Sequence, residues 1–288
     1  MRWQGRERSQ NVEDRRGSRP LRVAGGGGLI VLVFAVIAML LGADPRAFLG
    51  AARQQQARQG QGIQQAQAVD DESREFIEVV LKDTENVWTK LFQQHVEGGR
   101  YIPPRLIIYA GTDRSGCGIA NAKMGPFYCP ADQMVYIDPV FFDEMKRRLN
   151  SPGDFAQAYV IAHEVAHHVQ KLTGFSDIVD RIRASGDELA TNRASVRLEL
   201  QADYLAGVWA HHAQRDYNIL EGGDIAEALN AANQIGDDTL QKMSQGFVIP
   251  ERFTHGTSAQ RVRWFKDGLA SGDLNGCQAL FDLDYAQL

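Results

Sequence analysis

Basic residues are not in excess in this chain: 31 lysines and arginines stand against 36 aspartates and glutamates over 288 residues, a net charge of −5. No sequence-wide positive field advertises a nucleic acid as partner. Cysteine is scarce as well. There are three, with no C-x-x-C pair and no histidine close to them, which speaks against a cysteine-built zinc site. No internal repeat is visible, and only one long apolar run occurs, so a polytopic membrane protein is excluded. What is present, 44% apolar and 23% charged residues, fits a folded protein of one large or two small domains.

The charge is unevenly placed. Residues 1–22 carry seven arginines against three acidic residues, a net +4 that leaves −9 for the rest. Residues 23–43 are 21 uncharged positions, and Leu29 to Leu41 is an unbroken apolar run of 13. A spanning helix needs about 20 such residues. The run has no polar stripe, as a core helix would, and Leu41-Gly42-Ala43 is a poor cleavage site for a signal peptide. The expectation is a retained transmembrane anchor over 23–43. The leader 1–22 is then cytoplasmic by the positive-inside rule, and the catalytic domain sits on the extracytoplasmic side of the cell membrane. Residues 44–70, with eight glutamines between 51 and 68, read as a flexible linker. The folded domain is expected over 71–288.

Cys117 and Cys129 sit 12 apart in a glycine-rich stretch, where a loop can bring them together in an oxidising compartment. A disulfide is one reading and a pair of buried free thiols the other, with Cys277 left over in both. Around them lie two convincing strands, 106–109 and 134–137. An amphipathic helix is expected over 70–95, and further helices over 139–149, 152–172, 191–214, 223–235 and 257–270. The fold class is α+β, mostly helical and zincin-like, with a small antiparallel sheet, preceded by one transmembrane helix.

The chemistry concentrates in His163-Glu164-Val165-Ala166-His167, mid-helix in an apolar setting. At 100° per residue His163 and His167 lie one turn apart on one face, so both imidazoles can point at one metal ion. Glu164 projects beside them and can reach an activated water without ligating. Two histidines and a glutamate are costly among apolar neighbours unless they share a purpose. A catalytic zinc wants a third protein ligand. Glu199 and Asp203, four apart in Leu198-Glu199-Leu200-Gln201-Ala202-Asp203, lie on one helical face, so Glu199 is the expected third ligand and Asp203 the orienting partner of a liganding histidine.

HEVAHH followed by ELQAD resembles the gluzincin peptidases, whose signature is HExxH with a downstream ExxxD. GCGIANAKMGPFYCP, the YID strand, HEVAHHVQ and RLELQADYLAG together resemble the membrane-anchored bacterial neutral zinc metallopeptidases over about 100–270. The resemblance implies that His163, His167 and Glu199 hold zinc and that Glu164 is the general base. The separation of 32 residues from His167 to Glu199 is longer than in the best-known gluzincins, so 175–190 is expected to form an insertion near the cleft. His255 resembles a histidine that donates to the tetrahedral oxyanion in several gluzincins, with Arg261 in electrostatic support. His168 is read as helix surface; His95, His211 and His212 are given no role. Strand 134–138, preceding the motif helix, is expected to be the edge that pairs with an extended peptide.

The function expected is a membrane-anchored zinc metalloendopeptidase acting on a peptide or protein, with membrane but no nucleic acid as further partner. The alternative is a catalytically silent, zinc-binding module that serves as a tethered binding partner. A zinc hydrolase acting on cell-wall peptides is a third reading.

Overall fold

In the computed structural model the described residues are 1–17, 72–96, 98–148 and 153–288. They contain β1 (Val12–Asp14), α1 (72–95), β2 (Arg105–Ile108), β3 (Thr112–Ser115), β4 (Gly118–Asn121), β5 (Phe127–Cys129) and β6 (Met134–Ile137). Seven helices follow: α2 (Val140–Arg148), α3 (Asp154–Leu172), α4 (Phe175–Arg183), α5 (Glu188–Tyr217), α6 (Asp224–Gln234), α7 (Asp237–Gln245) and α8 (Ser258–Ser271), with short α9 (Gly276–Asp282) near the end. The helical majority agrees with the sequence pattern.

The main sheet has the order β1-β2-β6-β5. β1 and β6 both run parallel to β2, and only β5 is antiparallel to its neighbour β6. The expected antiparallel sheet is therefore mixed. β2 and β6 bury Leu106, Ile107, Ile108, Val135 and Ile137 completely, the continuous apolar pattern of strands covered on both faces. One face joins the helical core. The other, with Ile107, Tyr109, Ala120, Cys129 and Tyr136, forms a small separate cluster. A disulfide, Cys117–Cys129, fastens the turn of the antiparallel β3–β4 hairpin to the end of β5, so the thiol-pair reading falls away.

The expected topology does not survive. The anchor 23–43 and the linker lie outside the described residues, and among the described residues no helix is long and apolar enough to cross a membrane. More decisively, residues 1–16 and 76–288 form one compact unit. The leader supplies β1, buries Trp3 edge-on against Phe76 at 5.5 Å between ring centroids, and pairs Arg6 with Asp83 at 2.7 Å. A single span between leader and domain would put them on opposite sides of a bilayer, where they could not share a sheet. The single-pass placement, with a cytoplasmic leader and an outside catalytic domain, is thereby overturned. Of the arginines that read as a free basic leader, Arg15 instead pairs with Asp113 of the domain at 3.1 Å, and the leader's own Glu13 takes Arg105 of β2 at 2.6 Å.

Helix α3 is buried along most of its length and packs on α5, α6 and β5. Its first turn borrows a cap from α6, since Phe155 N–H donates to Glu227 at 3.2 Å. A Cβ on Gly153 would overlap that carboxylate. α5 and α8 cross backbone to backbone: a Cβ on Gly207 would fall 2.2 Å from the Phe265 carbonyl oxygen, and one on Gly268 2.0 Å from that of Tyr204. This close crossing brings Arg261 of α8 beside Asp203 of α5.

Candidate metal centre and cleft

His163 and His167 leave α3 on the same side, their rings perpendicular with centroids 4.8 Å apart. Glu199 comes from α5 to meet them. Its carboxylate lies 3.1 Å from His163 Nε2 and 3.5 Å from His167 Nε2, and the three offered ligand atoms all fall within 4.8 Å of one another. Two imidazoles and one carboxylate suit zinc.

The outward-facing nitrogens are set by what holds the inward ones. His163 Nδ1–H donates to Asp203 Oδ1 at 2.9 Å. Asp203 is fully buried and also accepts from Tyr159 Oη at 2.5 Å and from Arg261 at 2.8 and 3.0 Å. His167 Nδ1–H donates to Gln170 Oε1 at 2.8 Å. Gln170 Nε2 is already committed to the Leu198 carbonyl at 2.6 Å, so its oxygen must face the imidazole. Both histidines thus present Nε2 to Glu199. Such partners fix tautomer and ring plane and raise ligand basicity. Gln170 was not singled out in the sequence, although it stands three residues after His167 on the same helix.

Electrostatics point the same way. Burial opposes charge on His163, but Asp203 and Glu199 outweigh it and lift its pKa to about 10. Burial would raise Glu199, yet the two imidazoles hold it well below the usual carboxylate range. The same donors that bind protons this tightly are offered to a cation, so the two compete. Glu164 is 9% exposed, and burial pushes its pKa above the ordinary value against the pull of both histidines. The nearby backbone amide of Tyr128 offsets a little of that rise.

The cluster forms the floor of a cleft of about 640 Å³ whose walls include Phe127, Tyr128, Phe141 and Val179. His255 lines it too, with its side chain 48% exposed. Asp237 holds it there, accepting from the backbone N–H groups of Thr254, His255 and Gly256 and lying 3.1 Å from His255 Nδ1. That hydrogen bond, the largest influence, raises the His255 pKa. Asp237 was missed because it reads as the acidic start of a helix after Gly236. Arg261 is only 2% exposed and serves Asp203 rather than His255.

Two sequence readings change. β6 lies between β2 and β5, so the edge strand at the site is β5 and not 134–138. His168 is 1% exposed rather than on the surface, and burial lowers its pKa. The segment after His167 does border the cleft: α4 contributes Ser176, Val179, Asp180 and Arg183. His211 and His212 bond the carbonyls of Leu269 and Gly272 and so tie α5 to the end of α8. A second acidic group, Asp154, Asp224 and Glu227, could also hold a cation by position, but the Met1 ammonium lies against it, 2.5 Å from Asp154.

A mostly helical domain that offers a histidine pair from one helix and a glutamate from another has the donor set of a zinc hydrolase. The chain belongs to the family described as Putative neutral zinc metallopeptidase, whose model matches residues 1–280. That span includes the leader, consistent with its place in the sheet. Uncharacterized protein YpfJ of Escherichia coli K12 is 48% identical over 286 residues, covering 96% of this chain and 98% of the relative. Uncharacterized protein Mb2605 of Mycobacterium bovis is 37% identical over 260 residues, 86% of each chain. No solved structure matches.

Proposed function

We propose that this protein is a zinc metallopeptidase that hydrolyses peptide bonds in the cleft over α3, with His163, His167 and Glu199 as metal ligands and Glu164 as general base. The observation that carries the reading is one constellation: three ligand atoms within 4.8 Å of one another beside a buried carboxylate, Glu164, that has no salt-bridge partner among the described residues. Zinc, when bound, supplies a Lewis acid that polarises the scissile carbonyl and acidifies water.

The protein's own groups account for the rest. Glu164, its proton affinity raised by burial, takes a proton from the attacking water and returns it to the leaving amine. The Tyr128 amide lies beside that carboxylate. His255, oriented through Nδ1 by Asp237, turns Nε2 toward the cleft and donates to the oxygen on which charge develops. β5, the free edge of the sheet, offers its backbone to an extended peptide by strand addition.

Glu164→Gln tests the reading because it keeps shape while removing the base. The full chain is loaded with zinc and offered a mixed peptide library. Wild type should carry one zinc per chain and cleave; Glu164→Gln should keep the zinc and lose about 10²- to 10⁴-fold in rate. Near-stoichiometric zinc in both His163→Ala and His167→Ala would refute the ligand assignment. A zinc-loaded wild type that cleaves nothing would favour the silent binding module.

A further inference from the structure

The side chain that follows the second histidine of the motif is where a ligand-binding helix would be expected to meet solvent, yet His168 is 1% exposed. Both of its ring nitrogens are engaged. Nε2 lies 2.7 Å from the Ile102 carbonyl oxygen and Nδ1 lies 3.1 Å from Tyr128 Oη. A carbonyl can only accept, so Nε2 carries the hydrogen, and Nδ1 of the neutral ring takes the hydrogen of the Tyr128 hydroxyl. The ring also packs edge-on against Tyr101 and Tyr128, with centroids 6.0 and 5.5 Å away. Tyr128 is the middle residue of β5.

The same tyrosine meets α3 at its other end as well. Its backbone amide is near enough to Glu164 to pull that group's pKa down a little, and Glu164 and His168 are four residues apart, one above the other on one helical face. A single turn of the motif helix therefore meets one strand residue at two points, its amide beside Glu164 and its hydroxyl bonded to His168. Among the described residues β6 is the strand that pairs with β5, and the end of β5 is tied by the Cys117–Cys129 disulfide. An edge strand of three residues has little pairing of its own to hold its register.

We infer that His168 is a positioning residue: through the Tyr128 hydroxyl it clamps the edge strand β5 onto the motif helix, setting the register in which that edge meets an extended peptide and the direction in which Glu164 points. The inference rests on the peptidase reading for its consequence in catalysis, but the clamp is a property of the fold. Removal of the hydroxyl frees β5 to shift against α3 while leaving the metal donors and their partners untouched.

The test uses the full chain as wild type, Tyr128→Phe, His168→Phe and the double variant. Tyr128→Phe removes one oxygen atom and is the variant that keeps the fold; His168→Phe is read only if its melting curve is cooperative. Two measurements are made: backbone amide exchange at residues 127–129, and KM and kcat on the cleaved members of the peptide library. Zinc content is the control. The expected result is amide exchange about fivefold or more faster in Tyr128→Phe, the scale set by loss of one hydrogen bond. KM should rise more than kcat falls, zinc should stay constant, and the double variant should be no worse than either single one. Wild-type exchange at 127–129 in Tyr128→Phe, or two single effects that simply add, would overturn the clamp. If wild type cleaves no peptide the peptidase reading fails, and the exchange comparison still decides the clamp on its own.

Discussion

The two sides of the histidine pair differ in kind. Behind His163 lies a dry region: Asp203 is fully buried, Arg261 is 2% exposed, and the two form a bidentate pair that also takes in Tyr159. In front lies the cleft, which His255 lines with its side chain half exposed while its partner Asp237, 8% exposed, holds it from beneath. Both regions consist of a carboxylate that orients a histidine, yet water reaches only one of them. The dry pair can act on the site through geometry and charge alone, because nothing from outside can touch it. On the wet side His255 itself can touch a substrate. Electrostatic coupling is strong where water is excluded and screened where it is not, so disruption should be costly behind the site and graded in front of it.

The largest effect should come from the dry side. Arg261→Met leaves Asp203 buried without its cation, a change that costs about 3–5 kcal/mol in stability. It should also weaken zinc binding by about 10- to 100-fold through the loosened His163. Calorimetric melting and competition with a zinc chelator measure the two. A variant that melts with wild type would show that Arg261 is not needed to hold Asp203 and would erase the contrast between the regions.

On the wet side His255→Ala should leave stability and zinc content near wild type. The rate should fall by about 10²-fold, the usual consequence of losing one donor to a developing oxyanion. Equal loss of zinc in this variant would place His255 among the supports of the metal centre instead.

The smallest and most diagnostic effect concerns pH. In the proposed role His255 would donate only while Nε2 keeps its hydrogen as a cation, and its raised pKa extends that range upward. Activity should therefore fall as pH rises through the His255 value. Asp237→Asn removes the group that raises it, so the alkaline limb should move to lower pH. At the acid end protons compete with the metal for His163 and His167, so zinc should be released as pH falls, in both proteins alike. An unmoved alkaline limb in Asp237→Asn would assign that limb to another group.

Much of the site was legible in the chain. HEVAHH and ELQAD could be read as two helical faces because ligand spacing at i and i+4 follows from helix geometry alone, and the structure brings those faces together. The residues that hold the ligands were legible only in part. Asp203 lies one turn from Glu199 and could be found by the same rule, but Gln170 and Asp237 belong to no repeating pattern, and their roles arise from which segment happens to face them. His168 was misread for a related reason: periodicity says which side of a helix a residue occupies, not whether a strand covers that side.

The treatment of the leader shows the limit most sharply. An arginine-rich terminus followed by 21 uncharged residues is, by local composition, the signature of an anchored protein. Docking of residues 1–16 into the sheet depends on β2 and on Phe76 and Asp83, partners that lie more than 60 residues away and leave no mark in the leader itself.

Local sequence by itself determined which helices carry the candidate metal donors, which face of each they occupy, and the mostly helical character of the domain, because helical period and apolar pattern act over a few residues. Only the tertiary structure decided that the leader completes a mixed sheet, that β5 is the edge beside the cleft, and that Arg261 belongs to Asp203. Each of these is a pairing between segments remote in the chain, selected by burial and by the need of buried polar groups for partners, and no spacing rule within one segment encodes its distant neighbour.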